Sequence, residues 1–188
     1  MEPHIREKQE QFLDLIEPHK AGMLRFCRAL SNDSDTAKDL AGETILIAYE
    51  RFEALQNKAA IKGYLYTTAS RLAGSERKLA KRHVWQDEAL EVEYHGASPD
   101  VLADIHLLQE ALEKLPEKIR EAVIMFEISG LSLSEIKEIQ GGSLSGVKMR
   151  IARGKRKLAK ILGANDSKKR QSEKAAHEFD SIARSTIL

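Results

Sequence analysis

The chain has 188 residues, room for one medium domain or two small ones. Hydrophobic residues make up 42% and charged residues 31%, with aromatics at only 5%, which excludes a turn-rich β-sandwich and fits ordinary helical cores. No apolar run approaches the roughly 18–20 residues needed to cross a bilayer, and the start, Met1-Glu2-Pro3-His4-Ile5-Arg6-Glu7-Lys8, is too polar for a signal peptide. A cytoplasmic protein without membrane insertion is expected. The lone Cys27 excludes an internal disulfide framework and reads as a small buried hydrophobe in a reducing compartment.

The net charge of +1 conceals an asymmetry. Asp87, Glu88, Glu91, Glu93, Asp100, Asp104, Glu110 and Glu113 follow one another with no Lys or Arg between them. From Ser143 to Lys160 the reverse holds: Lys148, Arg150, Arg153, Lys155, Arg156, Lys157 and Lys160 have no acidic neighbour. This distribution points to a polyanion-binding element behind an acidic connector.

In chain order, Phe12, Leu15, Ile16, His19, Met23, Phe26, Cys27 and Leu30 recur at steps of three and four, the signature of an amphipathic helix. Ser31-Asn32-Asp33-Ser34-Asp35 breaks it and offers N-caps for a second helix from about Thr36 to Phe52. A third helix begins near Ile61 and runs to about Arg82, with Tyr64 and Tyr66 at its start and Arg77, Lys78, Lys81 and Arg82 at its end. The acidic stretch at 85–100 lacks a period and reads as a linker. Val101 to Leu115 forms the next helix, and Pro116 suits the first turn of another, Glu117 to Ser129. Ser132 or Ser134 can cap a short helix through Ile139, with Glu135 placed to complete a capping box after Ser132; Gly141-Gly142 turns the chain, and Ser143 opens a last helix to about Leu162. A short helix, a glycine turn and a basic helix make a helix-turn-helix. The expected fold is all-α: two small helical domains joined by an acidic linker, the C-terminal one a helix-turn-helix.

The last helix can bury Val147, Ile151, Gly154 and Leu158 on one stripe, leaving Lys148, Arg150, Arg153, Lys157 and Lys160 for DNA. Arginine suits base reading, because its guanidinium bridges the two acceptors of guanine; lysines hold phosphates and set the salt dependence.

These residues resemble a family. Leu115-Pro116-Glu117-Lys118-Ile119-Arg120-Glu121-Ala122-Val123, then Leu131-Ser132-Leu133-Ser134-Glu135-Ile136, then Val147-Lys148-Met149-Arg150-Ile151-Ala152-Arg153-Gly154-Lys155-Arg156-Lys157-Leu158 are similar to the C-terminal domain of bacterial RNA polymerase sigma factors, the small extracytoplasmic-function (ECF) group of the sigma-70 family above all. In the first half, Asp39-Leu40-Ala41-Gly42-Glu43-Thr44-Ile45-Leu46-Ile47-Ala48-Tyr49 resembles the helix that binds the polymerase clamp. Ile61-Lys62-Gly63-Tyr64-Leu65-Tyr66-Thr67-Thr68-Ala69-Ser70-Arg71-Leu72-Ala73 is similar to the helix that melts and reads the minus-ten element. The chain departs from the family at Gly42 (usually Gln), Ile47 (often basic), Tyr64 (usually Trp), and Leu144 and Gly146 (commonly acidic and Thr).

The resemblance implies a region 2-like domain at 8–84, a linker at 85–100 that runs through polymerase, a region 4-like domain at 101–163 that reads the minus-thirty-five element, and a tail at 164–188. It implies polymerase binding by Asp39, Glu43 and Ile47, the last among apolar side chains that add contact area. Contact with minus-ten DNA falls to Gln56, Asn57, Lys58, Tyr64, Arg71, Arg77, Lys78, Lys81 and Arg82, with Tyr66 as a further aromatic. Contact with the upstream element falls to Ser143, Ser145, Lys148, Arg150, Arg153 and Lys157. The implied partners are the RNA polymerase core, through the clamp and flap of its large subunit, promoter DNA, and an anti-sigma factor. No phosphate-binding glycine loop, metal-spaced cysteine pair or Ser/His/Asp arrangement is present, so neither catalysis nor a cofactor nor a metal is expected. Two other functions fit part of the pattern: a helix-turn-helix regulator acting without the clamp contact, and a decoy for an anti-sigma factor.

Overall fold

A computed structural model describes residues 3–31, 33–82 and 99–163, with side chains excepted at 3, 78–82 and 99–102. The expected linker up to residue 98 and the whole tail lie outside the described residues. Every regular element among those described is helical.

The first helix, α1 (Pro3–Leu30), buries Phe12, Ile16, Met23, Phe26, Cys27 and Leu30, the stripe its periodicity predicts. Pro18 interrupts one backbone bond on its exposed side, where water can reach the orphaned carbonyl. Burial pushes the Cys27 thiol up to about 12, so it packs as a hydrophobe. Asp33 caps α2 (Ser34–Glu50), its Oδ1 accepting from the backbone of Asp35 at 2.9 Å and Thr36 at 2.8 Å. Two single turns, Phe52–Ala54 and Lys58–Ala60, lead into α3 (Ile61–Arg82). Edge-on contacts of Phe12 with Tyr49 (5.3 Å) and Phe52 (5.4 Å) close the bundle at one end.

The second half runs α4 (Pro99–Glu113), α5 (Glu117–Val123), a widened π-turn at Ile124–Ile128, α6 (Leu133–Gln140) and α7 (144–163). Pro99 and Asp100, expected in the linker, open α4 instead; a proline fits a first helical turn, where its missing N–H costs nothing. The expected single helix from Glu117 to Ser129 is regular only to Val123, then widens. The capping box forms as expected: Ser132 Oγ accepts from Glu135 N, and Ser132 N donates to Glu135 Oε2 at 2.8 Å. Gly141 and Gly142 turn the chain at φ +73° and +93°, backbone that other residues rarely adopt.

The two halves touch. Buried side chains from both form one continuous cluster that joins Met23, Phe26 and Tyr66 to Met125, Leu131 and Ile136. α1 packs against the π-turn and α3 against α6. Arg25 Nε donates to the Ile128 carbonyl at 3.0 Å, Lys62 Nζ pairs with Glu135 Oε1 at 2.6 Å, and Arg77 Nη1 lies 3.7 Å from Glu117 Oε1.

α7 sits on α5 through Gly154, where a Cβ would stand 2.4 Å from Val123 Cγ2 and 2.9 Å from Ile119 Cγ2. A methyl there must push two packed side chains aside. Gly154→Ala is expected to destabilise the fold by about 1–3 kcal/mol, the usual cost of overpacking. Gly42→Ala, where a Cβ meets nothing within 4 Å, should instead stabilise by up to about 1 kcal/mol through helix propensity. Urea unfolding midpoints of the two variants should therefore move in opposite directions.

Candidate nucleic-acid interface

The helix-turn-helix presents its basic residues on a fixed frame. Val147, Ile151 and Gly154 are buried, and Leu158 packs half-buried against the same core, as their spacing predicts. Ser145, Lys148, Arg153 and Lys157 are exposed. Ser143 is also exposed, but its hydroxyl accepts from Gly146 N at 3.1 Å and so caps α7.

Arg150 stands apart from the other basic residues. It is half-buried, and its guanidinium donates to Gln140 Oε1 at 2.5 Å and to the Gly141 carbonyl at 2.8 Å. Gln140 in turn donates to the Lys118 carbonyl and to Glu121, whose carboxyl burial pushes above the usual range. Arg150 thereby ties the glycine turn and sets the angle between α6 and α7. Sequence periodicity does not reveal this bond, because it depends on where the turn returns the chain.

The surface expected to meet minus-ten DNA is partly brought together. Gln56, Asn57 and Lys58 are exposed in the loop before α3. Asn57 Oδ1 accepts from Ala59 N, and Lys58 Nζ donates to Gln11 and lies over the Phe52 ring at 4.6 Å. Half-buried Tyr64 lines a groove of about 370 Å³ with Leu55, Ala59, Ala60 and Lys62 on one side and Glu135, Glu138 and Ile139 of α6 on the other. Arg71 is exposed and Arg77 is half-buried beside Glu117. Lys78, Lys81 and Arg82 have side chains outside the described residues. Tyr66 must be withdrawn as a stacking platform. It is fully buried against Phe26, with ring centroids 5.1 Å apart, and burial pushes its hydroxyl up to about 12.

On α2, Asp39 and Glu43 are exposed one turn apart and Ile47 is half-buried. Leu46, 56% exposed, is the larger apolar surface beside Glu43, and its i+3 spacing from Glu43 was the available signal. Glu76 of α3 joins this acidic patch. Its carboxyl is raised by burial first and then by the charges of Glu43 and Asp39.

Comparison with known proteins decides what these surfaces belong to. A model of sigma-70 region 2 matches residues 15–83, and a model of sigma-70 region 4 matches residues 105–158. The ECF RNA polymerase sigma factor EcfG of Rhodopseudomonas palustris is 30% identical over 146 residues, covering 75% of this chain and 81% of that protein. The chain belongs to the ECF sigma factors. It therefore directs RNA polymerase core to specific promoters in transcription initiation. SigW of Bacillus subtilis, another ECF sigma factor, is 26% identical over 168 residues, 82% of this chain and 90% of that protein. The fold matches the sigma factor RpoE of Bartonella quintana, solved with the anti-sigma factor NepR, at TM-score 0.61, 22% identity, and 84% and 98% coverage. It also matches CnrH, solved with the cytosolic domain of CnrY, at TM-score 0.63, 21% identity, and 83% and 90% coverage. Among the described residues no helix is long and apolar enough to cross a membrane.

In this sigma factor the bond between the halves leaves a pH signature. The Lys62 ammonium holds the Glu135 carboxyl at about 2, against a usual 4.5; partial burial opposes this and the Ser132 bonds reinforce it. A carboxyl depressed in the folded state stabilises it above the unfolded value and loses that contribution as pH falls through the folded value. Glu135→Gln keeps a capping side chain but removes the charge. The stability gap between wild type and Glu135→Gln should be full above about pH 4.5 and close toward pH 2, read as unfolding midpoints across that range.

Proposed function

We propose that Asp39 and Glu43, flanked by Leu46 and Ile47, dock this sigma factor on a basic element of the polymerase clamp. The observation that carries this reading is the exposed pairing of two carboxylates with a large apolar side chain on one helix face. Exposed side chains of this kind are open to a partner, and the face favours initiation over a regulator that bypasses polymerase.

The region 2-like unit at 8–84 engages the minus-ten element. Opening a duplex means unstacking bases and holding them, which calls for aromatic faces and cations near single strands. Tyr64 offers the ring, and Lys58, Arg71, Arg77, Lys78, Lys81 and Arg82 offer charge, with Gln56 and Asn57 at the loop for a flipped base. The region 4-like unit at 101–163 reads the upstream element through Ser145, Lys148, Arg153 and Lys157, with Ser143 as cap and Arg150 as the tie that aims the helix. The flap of the large subunit is a further contact for this unit, and the linker threads polymerase between them. The site of action is the cytoplasm.

The packed arrangement is a closed form. The two promoter elements lie about 25 base pairs apart, on the order of 85 Å at 3.4 Å per step. A folded body of some 160 residues has a radius of gyration of only about 15 Å. The halves must separate to touch both elements, which frees Tyr64 and Lys62 from α6. An anti-sigma factor is the natural partner of the closed form. It would lie along the apolar groove of about 590 Å³ between α1, α2 and α4, lined by Leu24, Ala29, Ala37, Ile105, Leu108 and Leu112 with Arg25, Arg28 and Lys38 at its rim.

The direct test is transcription of genomic DNA by core polymerase with and without the chain, with transcript starts mapped. Starts that share two spaced upstream elements are expected. Glu43→Lys should weaken core binding by at least about tenfold, the scale for reversing a charge in an interface, measured by titration against labelled core. Unchanged core binding in that variant would refute the clamp assignment.

A further inference from the structure

We infer that Met149 is a specificity-determining residue: it reads the 5-methyl group of a thymine in the upstream promoter element. The inference rests on the reading of α7 as the helix that enters the major groove, and it assigns base chemistry to the centre of that helix's outer face.

The argument starts from the buried stripe. Val147, Ile151, Gly154 and Leu158 anchor α7 to its own domain, and a helix turns about 100° per residue. Counted from that stripe, Met149 falls roughly opposite it, at the middle of the face turned to solvent. Ser145 and Arg153 lie one turn to either side of it, and Ala152 lies three residues on; all three are exposed. Leu144, the other large exposed hydrophobe of this helix, falls only about 60° from the stripe, at the margin. Both are 49% exposed.

Arg150, the arginine next to Met149, is spent on the glycine turn, so it does not supply a guanine contact. In the first half of α7 the centre of the face is thus a thioether, Met149, with the Ala152 methyl beside it, framed by Ser145, Lys148 and Arg153, and with Arg156 two turns on along the same line. On the major-groove edges of the base pairs the substituents that proteins read are hydrogen-bond donors and acceptors, with one exception. The exception is the thymine methyl. An unbranched, polarisable side chain is well suited to cover it, while Lys148 and Arg153 hold the flanking phosphates or neighbouring bases. An apolar centre set against guanine or cytosine would instead strip water from polar edges without replacing it.

The experiment uses the full chain assembled with core polymerase and synthetic promoters taken from the mapped transcripts. Each thymine of the upstream element is replaced singly by deoxyuridine, which keeps the pairing and removes only the methyl. At one or two positions the substitution should weaken holoenzyme binding about fourfold, the factor for one buried methyl-sized group. In Met149→Ala the same substitutions should cost nothing further, while Leu144→Ala should keep the wild-type response. Met149 is exposed, so circular dichroism and the unfolding midpoint of Met149→Ala should match wild type. If no thymine responds in the wild-type holoenzyme, or if Met149→Ala responds as wild type does, the inference is overturned while the initiation reading stands. If the chain yields no transcripts at all, that reading fails and this inference falls with it.

Discussion

The rest of the molecule depends on the burial of the second helical half against the face made by α1 and α3. That contact has a geometric condition at Gly22. A Cβ there would stand 2.7 Å from the Tyr66 hydroxyl and 3.4 Å from the Ser129 carbonyl. With no side chain at that position, α1, α3 and the end of the π-turn approach closely enough for Met23, Phe26 and Tyr66 to join Met125 and Leu131 in one core. The widened turn contributes by shifting the register of the helix that carries Ile124 and Met125. Both of these become fully buried, and the chain then leaves through Gly130 at φ +73°. Backbone geometry and apolar burial thus fix how α6 and α7 are presented, and the surface charges follow from it.

Local features were legible in the sequence because their causes are local. The stripe of α1, the capping box at Ser132 and Glu135, the glycine turn and the buried face of α7 each follow from spacing within a few residues. What escaped were contacts between residues far apart in the chain. Tyr66 sits on the same helix as Tyr64 and carries the same chemistry, yet α1 covers one with Phe26 and leaves the other beside a groove. Arg150 looks like any other cation of its helix until the turn brings Gln140 and Gly141 beneath it. Glu76 joins Asp39 and Glu43 only because α3 lies against α2. Asp39, Glu43, Lys148 and Arg153 came out exposed, and their common feature is that no distant element needed their side chains.

The withdrawal of Arg150 into the turn changes how the recognition helix should be understood. A basic helix attracts DNA of any sequence through its charge, and that attraction is screened by salt. Discrimination requires groups aimed at base edges from a frame that does not shift. Arg150 supplies the frame by spanning the turn, and the half-buried Gln140 with the buried Glu121 beneath it keep its guanidinium in place. Lys148, Arg153 and Lys157, exposed on the same helix as Lys155, Arg156 and Lys160, are the cations proposed to supply affinity. The division of labour follows burial, since Arg150 is the half-buried arginine of α7 while Arg153 and Arg156 are exposed.

The proposed opening requires a packed arrangement stable enough to form and weak enough to release, and the kinds of bond at the boundary bear on that balance. Lys62 and Glu135 are 27% and 36% exposed, and Arg77 and Glu117 are 26% and 49% exposed. Ion pairs this wet contribute roughly 0–1 kcal/mol each. The apolar seam around Met23, Phe26 and Met125 therefore carries most of the closure. A ligand shifts such an equilibrium only by its differential affinity for the two states. In the proposed function, polymerase and promoter engage surfaces that the closed form covers, Tyr64 among them, so their binding would favour separation. A partner bridging α1, α2 and α4 spans both halves at once and binds only when they are together. Opposite effects on transcription then follow from which side of one equilibrium each partner contacts, without any change inside either helical half.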